Sequence, residues 1–231
     1  DGFVKYLFRA EDGALLETVR IPLLAPRFSV CVSSQAGCGL GCVFCETGRL
    51  GLVRNLEPWE IVEQVLAVKR DAPPERPITG VVFQGQGEPL QNYDAVIRAA
   101  TIMRDPSGLK IRGEAITIST VGLLPAIERF TDEGHVFRLI LSLTSAIDAK
   151  RAQLVPLAFV LTRAGGARAE LFDATGRRVR TLLDGAVLPA GRHAVNLDAR
   201  GADGEALRPG LYFYRLETDE GALHGRIVML R

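Results

Sequence analysis

Outside residues 31–45 this chain has no cysteine, and in 231 residues it holds only three histidines, two methionines and one tryptophan. A secreted fold stapled by disulfides would spread its cysteines to close long loops, so that class is not favoured. The longest apolar runs, such as "FRLILSL" at 137–143, are strand-length and too short to cross a bilayer. No charged start followed by an apolar stretch and a small-residue cleavage site is present, so a signal peptide is not supported. Repeats and low-complexity tracts are missing too. His135, His193 and His224 match no ligand spacing and are read as structural. The chain opens at Asp1 rather than a methionine, and residues upstream of it are expected. With 47% hydrophobic and 24% charged residues and a net charge of +1, the remainder is ordinary globular protein, long enough for one large or two modest cores.

The pattern changes along the chain. In residues 28–157, strand-like runs at 28–34, 78–85, 115–120 and 137–143 alternate with helical patterns at 57–70, 92–104 and 121–134. Pro58 suits a first helical turn, and Trp59 in that helix is expected to pack in the core. This alternation predicts an α/β fold with a parallel sheet or partial barrel of about four βα units, preceded by a β-hairpin. Ligands of such sheets gather at the C-terminal ends of the strands. From residue 160 to 231, short alternating strands with turns at Ala174-Thr175-Gly176, Asp203-Gly204, Pro209-Gly210 and Glu220-Gly221 predict a small antiparallel β-sandwich. The boundary is expected near 155–166, with no long flexible linker.

The cysteines lie in "CVSSQAGCGLGCVFCETG". Cys38, Cys42 and Cys45 form a C-x3-C-x2-C array, and Cys31 stands seven residues upstream. Clustering favours a metal or iron–sulfur site in a reducing compartment over disulfides. Three thiolates can hold three irons of a cubane and leave the fourth iron open. Gly37, Gly39 and Gly41 let the backbone approach such an inorganic core closely. Two alternatives stay open: a zinc site with Cys31 as fourth ligand, and two local disulfides.

The array, with Phe44 just before the last cysteine, resembles the radical-SAM superfamily. Five stretches narrow the likeness: "DGFVKYLFRAEDGALLETVRIP", "CVSSQAGCGLGCVFCETGRLGLVRNL", "VVFQGQGEPLQNYD", "ITISTVGLLPAI" and "LSLTSAIDAKRAQLVPL". In this order they closely resemble the RlmN/Cfr adenine methyltransferases over residues 1–157. The resemblance implies a radical-SAM methyltransferase acting on carbon 2 of adenine in large-subunit (23S) rRNA and tRNA. It also implies a [4Fe–4S] cluster, S-adenosyl-L-methionine, a flavodoxin-like reducing partner, a cytoplasmic location and no membrane association. Carried over by motif, Cys38, Cys42 and Cys45 would hold the cluster. Gly87 and Glu88 would contact the amino group of S-adenosylmethionine, a carboxylate being apt for an ammonium. Ser119, Ser142 and Thr144 would contact the cofactor at the next strand ends, with Thr144 departing from the His or Asn common there. Glu17 matches the family's proposed proton acceptor.

In the mechanism that the resemblance implies, a methyl group moves to a second cysteine near the C-terminus. A residue matching Cys31 later attacks that sulfur and releases the product by forming a disulfide, so both sulfurs are needed. The sequence has no cysteine after Cys45, and impaired or absent turnover is therefore expected. Residues 1–160 carry 17 basic and 18 acidic side chains, a net of −1, whereas an RNA-binding surface is usually basic. RNA contact would then rest on a local patch or on regions beyond these residues.

Residues 160–231, through "AELFDATGRRVRTLLDG", "LPAGRHAVNLDARGADGEALRPGLYFYRL" and "GRIVMLR", resemble FlgD-like immunoglobulin-type sandwiches and C-terminal secretion-sorting modules. That resemblance implies an interaction or sorting domain with no catalytic constellation. The rival functional expectation is accordingly an exported, non-enzymatic chain whose β-sandwich serves sorting or protein interaction.

Overall fold

A computed structural model of the chain describes residues 2–24, 26–145, 157–196, 200–208 and 210–229. The later part of the fifth motif, the start of the expected domain junction, and Pro209 lie outside the described residues. Those described form two units, Asp1–Cys38 with Leu52–Ser142, and Gly39–Gly51 with Leu143–Arg231.

In the first unit, β1 (Val4–Arg9) and β2 (Leu15–Pro22) form an antiparallel hairpin, and β2 pairs with β3 (Phe28–Val32). Alternation in β3 is clear: Phe28, Val30 and Val32 are buried, while Ser29 and Cys31 are half-buried. A short hairpin of β4 (Gln35–Gly37) and β5 (Leu52–Asn55) follows, which the sequence pattern did not predict. The segment between them carries a five-residue helix, α1 (Glu46–Leu50), that belongs to the second unit.

Helix α2 (Pro58–Asp71) starts where expected, with Pro58 in its first turn and a reciprocal capping box between Glu57 and Glu60. Its stripe of Ile61, Val65 and Val68 is fully buried. Trp59 corrects the expectation of core packing. It is 59% exposed, because it lies off that stripe.

Strand β6 (Ile78–Phe83), helix α3 (Tyr93–Arg104), strand β7 (Ile116–Thr120), helix α4 (Leu124–Asp132) and strand β8 (Arg138–Leu141) complete the alternation. Strands β3, β6, β7 and β8 run parallel, in a six-stranded sheet ordered β1-β2-β3-β6-β7-β8. Their register aligns Val30 with Val81, Val32 with Phe83, and Phe83 with Ile118. These apolar positions join the α2 stripe and Val96, Ala99, Ala100 and Met103 of α3 in one core. At about 25 cal/mol per Å² of apolar surface, this burial is the main favourable term of the unit. The mixed α/β class read from the sequence is thus the one observed.

The second unit contains a four-stranded antiparallel sheet ordered β11-β10-β13-β14, from β10 (Gly165–Asp173), β11 (Arg178–Leu188), β13 (Gly210–Thr218) and β14 (Gly221–Met229). A separate two-stranded ribbon pairs β9 (Leu157–Leu161) with β12 (Gly191–Val195). Strand β9 begins before residue 160, so the expected boundary falls inside a strand. Leu171 and Tyr212 centre a small core with Val179, Leu182, Leu207, Tyr214 and Ile227. The buried Tyr212 hydroxyl donates to the Arg208 carbonyl at 2.9 Å.

Candidate functional site

Paired residues of neighbouring strands point to the same face of a sheet, and successive residues to opposite faces. Strand register therefore sorts the candidate residues. Cys31 pairs with Val19 on one side and Val82 on the other, Val82 pairs with Thr117, and Ser119 pairs with Ile140. Glu17 precedes Val19 by two, and Thr117 precedes Ser119 by two. Glu17, Cys31 and Ser119 consequently share one face of the sheet, opposite the face that packs against the helices.

Glu17 is 39% exposed and ion-paired with Lys5 of the neighbouring strand. Its carbonyl accepts from the Ser33 hydroxyl at 2.6 Å. Cys31 is half-buried, and burial pushes its thiol up from the ordinary range, opposed by a hydrogen bond from the Gln84 backbone. Ser119 is buried near the end of β7.

The segment after β6 is fixed from several directions. Gly87 has φ +98, and a Cβ there would stand 2.6 Å from Gln35 Cβ and 2.8 Å from Ser34 Oγ, so only glycine fits. Glu88 is 2% exposed. Its carboxylate accepts from the backbone N–H of Leu90 at 3.0 Å and of Val121 at 3.0 Å. Burial raises its pKa above the usual carboxylate value, and those amides together with Thr120 oppose the rise. The expected ammonium-binding carboxylate is thus already engaged in holding the ends of two strand–loop junctions together. Ser142, just after β8, donates its backbone N–H to the Thr120 carbonyl at 2.7 Å. Gly87, Glu88, Ser119 and Ser142 all follow or close parallel strands, at the edge where α/β sheets bind ligands, whereas Cys38 follows the antiparallel strand β4.

Cys42, Cys45 and Thr144 belong to the second unit. Cys42 is buried, and Cys45 stands at the N-cap position of α1 with no side-chain capping bond. The Cys45 amide donates to the Cys42 carbonyl at 3.1 Å. Thr144 carries a buried hydroxyl oxygen without a hydrogen-bond partner. All four cysteines are outside any disulfide in this structure.

The donor chemistry of Cys38, Cys42 and Cys45 suits a three-thiolate cluster. Among the described residues no three His, Cys, Asp or Glu side chains gather as a metal site. The cradle beside Gly41 is also filled. A Cβ at Gly41 would meet Arg192 Nη2 at 2.5 Å and Ala158 Cβ at 3.1 Å.

Sequence reasoning missed three polar anchors. Gln64 on α2 accepts from the Thr18 hydroxyl at 2.6 Å and the Ser33 amide at 2.8 Å, and donates to the Ser33 carbonyl at 3.0 Å. Gln35 Oε1 accepts from the Glu88 amide at 2.8 Å, and its Nε2 donates to Asn55 at 2.7 Å. Asn92 donates to the carbonyls of Ser34 and Leu56, both at 2.8 Å. A glutamine inside an otherwise apolar helical stripe was the one available signal, at Gln64. Arg192 carried none.

Comparison with known proteins bears on the family of the chain. The family model described as "Radical SAM superfamily" matches residues 32–166. A probable RNA methyltransferase of Myxococcus xanthus is 55% identical over 157 residues, covering 68% of this chain and 43% of that protein. The dual-specificity RNA methyltransferase RlmN of Syntrophobacter fumaroxidans is 48% identical over 157 residues, covering 68% and 45%. The crystal structure of a radical SAM methyltransferase from Sphaerobacter thermophilus superposes with a TM-score of 0.64 at 44% identity, over 67% of this chain and 46% of that one. The chain therefore spans less than half the length of the relatives it matches.

Proposed function

The chain belongs to the radical SAM superfamily, and from that premise we propose that residues 1–157 are an RlmN-type RNA methyltransferase module directed at carbon 2 of adenine. The observation carrying this reading is the line of motif residues Gly87, Glu88, Ser119 and Ser142 along the C-terminal edge of the parallel strands, with Cys31 on the face shared by Ser119. Superfamily membership implies S-adenosylmethionine and a [4Fe–4S] cluster, for which Cys38, Cys42 and Cys45 are the proposed donors. Large-subunit rRNA and tRNA are the proposed substrates, and a flavodoxin-like protein the proposed electron donor.

In this reading the protein's own groups have separate tasks. Buried Glu88 fixes the loop after β6 to the end of β7, so that the backbone around Gly87 is preorganised for a ligand. Glu17 offers a half-exposed carboxylate on the same face as Cys31. Cys31 supplies one sulfur of a thiol exchange, and within these 231 residues there is no cysteine after Cys45 to supply the other. The 231-residue chain alone is thus proposed not to complete turnover. Residues 160–231 are proposed as a FlgD-like interaction or sorting module, supported by their antiparallel strands and turn chemistry.

The test is anaerobic incubation of the iron- and sulfide-reconstituted chain with S-adenosylmethionine, a low-potential reductant and protein-free large-subunit rRNA or tRNA. Mass spectrometry would follow 5′-deoxyadenosine and 2-methyladenosine. The reading predicts some 5′-deoxyadenosine and no 2-methyladenosine. Formation of 2-methyladenosine would overturn the missing-sulfur argument, and a fully iron-loaded chain yielding no 5′-deoxyadenosine would overturn the cofactor assignment.

A further inference from the structure

The glycine-bearing cysteine segment has an occupant. Arg192, on β12, donates from Nη1 to the Gly48 carbonyl at 2.6 Å and from Nη2 to the Gly39 carbonyl at 3.4 Å. Its guanidinium lies where a Cβ of Gly41 would stand, and Nη1 is 3.3 Å from the corresponding position at Gly51. Both ends of the segment Gly39–Gly51 are thereby tied to the β9–β12 ribbon, within the second unit. Gly41 has φ +71 and Gly51 φ +80, and a guanidinium is planar, permanently charged and able to bond several carbonyls at once.

We infer that Arg192 is an autoinhibitory clamp: it occupies the glycine face of the cysteine segment and excludes an iron–sulfur cluster from it. The inference rests on the proposed cluster role of Cys38, Cys42 and Cys45. The physical basis is competition for one space. The guanidinium fills the side of Gly41 on which a Cβ would stand, so that side of the segment is closed to any other group. The segment is also held internally, since the Arg49 amide donates to the Cys45 carbonyl at 3.1 Å and the Arg49 side chain to the Val43 carbonyl at 3.2 Å. Loading the cluster requires the clamped form to open first. The apparent affinity for iron then falls by the fraction of molecules in which the clamp is released. Because coupling is reciprocal, a loaded cluster weakens the hold of the ribbon on the segment.

The test compares the full chain with Arg192→Ala and Arg192→Gln after anaerobic reconstitution with ferrous iron and sulfide. Iron and acid-labile sulfide per chain and the absorbance near the iron–sulfur charge-transfer band are read, with circular dichroism as the control for folding. Arg192→Gln keeps the side-chain bulk and an N–H donor, and decides the matter if Arg192→Ala does not fold. The clamp predicts substoichiometric iron in the unaltered chain and a several-fold rise in a folded variant. It also predicts faster amide hydrogen exchange in Leu157–Leu161 and Gly191–Val195 of that variant. Equal iron in the unaltered chain and the variants, or less iron in the variants, overturns the clamp and leaves the cluster assignment standing. Folded variants that take up no iron at all overturn the cluster assignment, and the clamp with it.

Discussion

The chemistry of Cys31 and Glu88 is set by burial more than by neighbouring charge. Cys31 has its thiol pKa raised by desolvation, so the thiolate is the disfavoured form in the folded chain. Its alkylation by iodoacetamide, followed by peptide mass spectrometry, should rise with pH along a profile displaced above that of the unfolded chain. A coincident or lower profile would contradict the burial argument. The linkage has a definite sign: a folded pKa above the unfolded one gives stability that is present below the thiol range and is lost as pH rises through it. Gly87 makes a second prediction at this scale. Gly87→Ala forces a left-handed φ on a residue with a Cβ and drives that atom into Gln35 and Ser34. It should cost about 2 kcal/mol or more in denaturant unfolding. The motif at Gly87 and Glu88 was legible in the sequence, but the work done by Glu88 was not. A carboxylate that accepts two buried amides looks, in one dimension, the same as one that awaits an ammonium.

Between elements, polar side chains decide how the layers are joined. Gln64 links α2 to β2 and to the Ser33 backbone through three bonds. Gln64→Leu keeps the volume and removes all three partners, leaving the Ser33 amide and carbonyl and the Thr18 hydroxyl buried. A loss of roughly 3 kcal/mol in unfolding free energy is expected, since each orphaned buried group costs about 1–3 kcal/mol. Glu88→Ala should be similarly destabilising, by about 2 kcal/mol or more, because it strands the Leu90 and Val121 amides. Both are measured by urea unfolding at neutral pH. The helices and parallel strands were legible because apolar residues recur at their proper periods, as in Ile61, Val65 and Val68. The β4–β5 hairpin was not, since each strand is only three or four residues long and too short to show a period. Trp59 misled for a related reason: its type suggests burial, and its position on the helix face away from Ile61, Val65 and Val68 decides otherwise.

For the whole molecule, the sequence motifs and the sheet edge agree on a superfamily, while among the described residues no three ligating side chains gather as a metal site. Arg192 reconciles the two, and its role could not be read from sequence because the contact joins positions more than a hundred residues apart. A four-cysteine zinc site and a three-cysteine cluster both accommodate the array "CVSSQAGCGLGCVFC", and they differ in the duty of Cys31. The most direct measurement is therefore the metal content of the Arg192→Ala chain after anaerobic iron and sulfide reconstitution, compared with the same chain carrying Cys31→Ser or Cys42→Ser. Iron and sulfide should be retained with Cys31→Ser and lost with Cys42→Ser. Loss of metal with Cys31→Ser, or zinc bound in place of iron, would contradict the account.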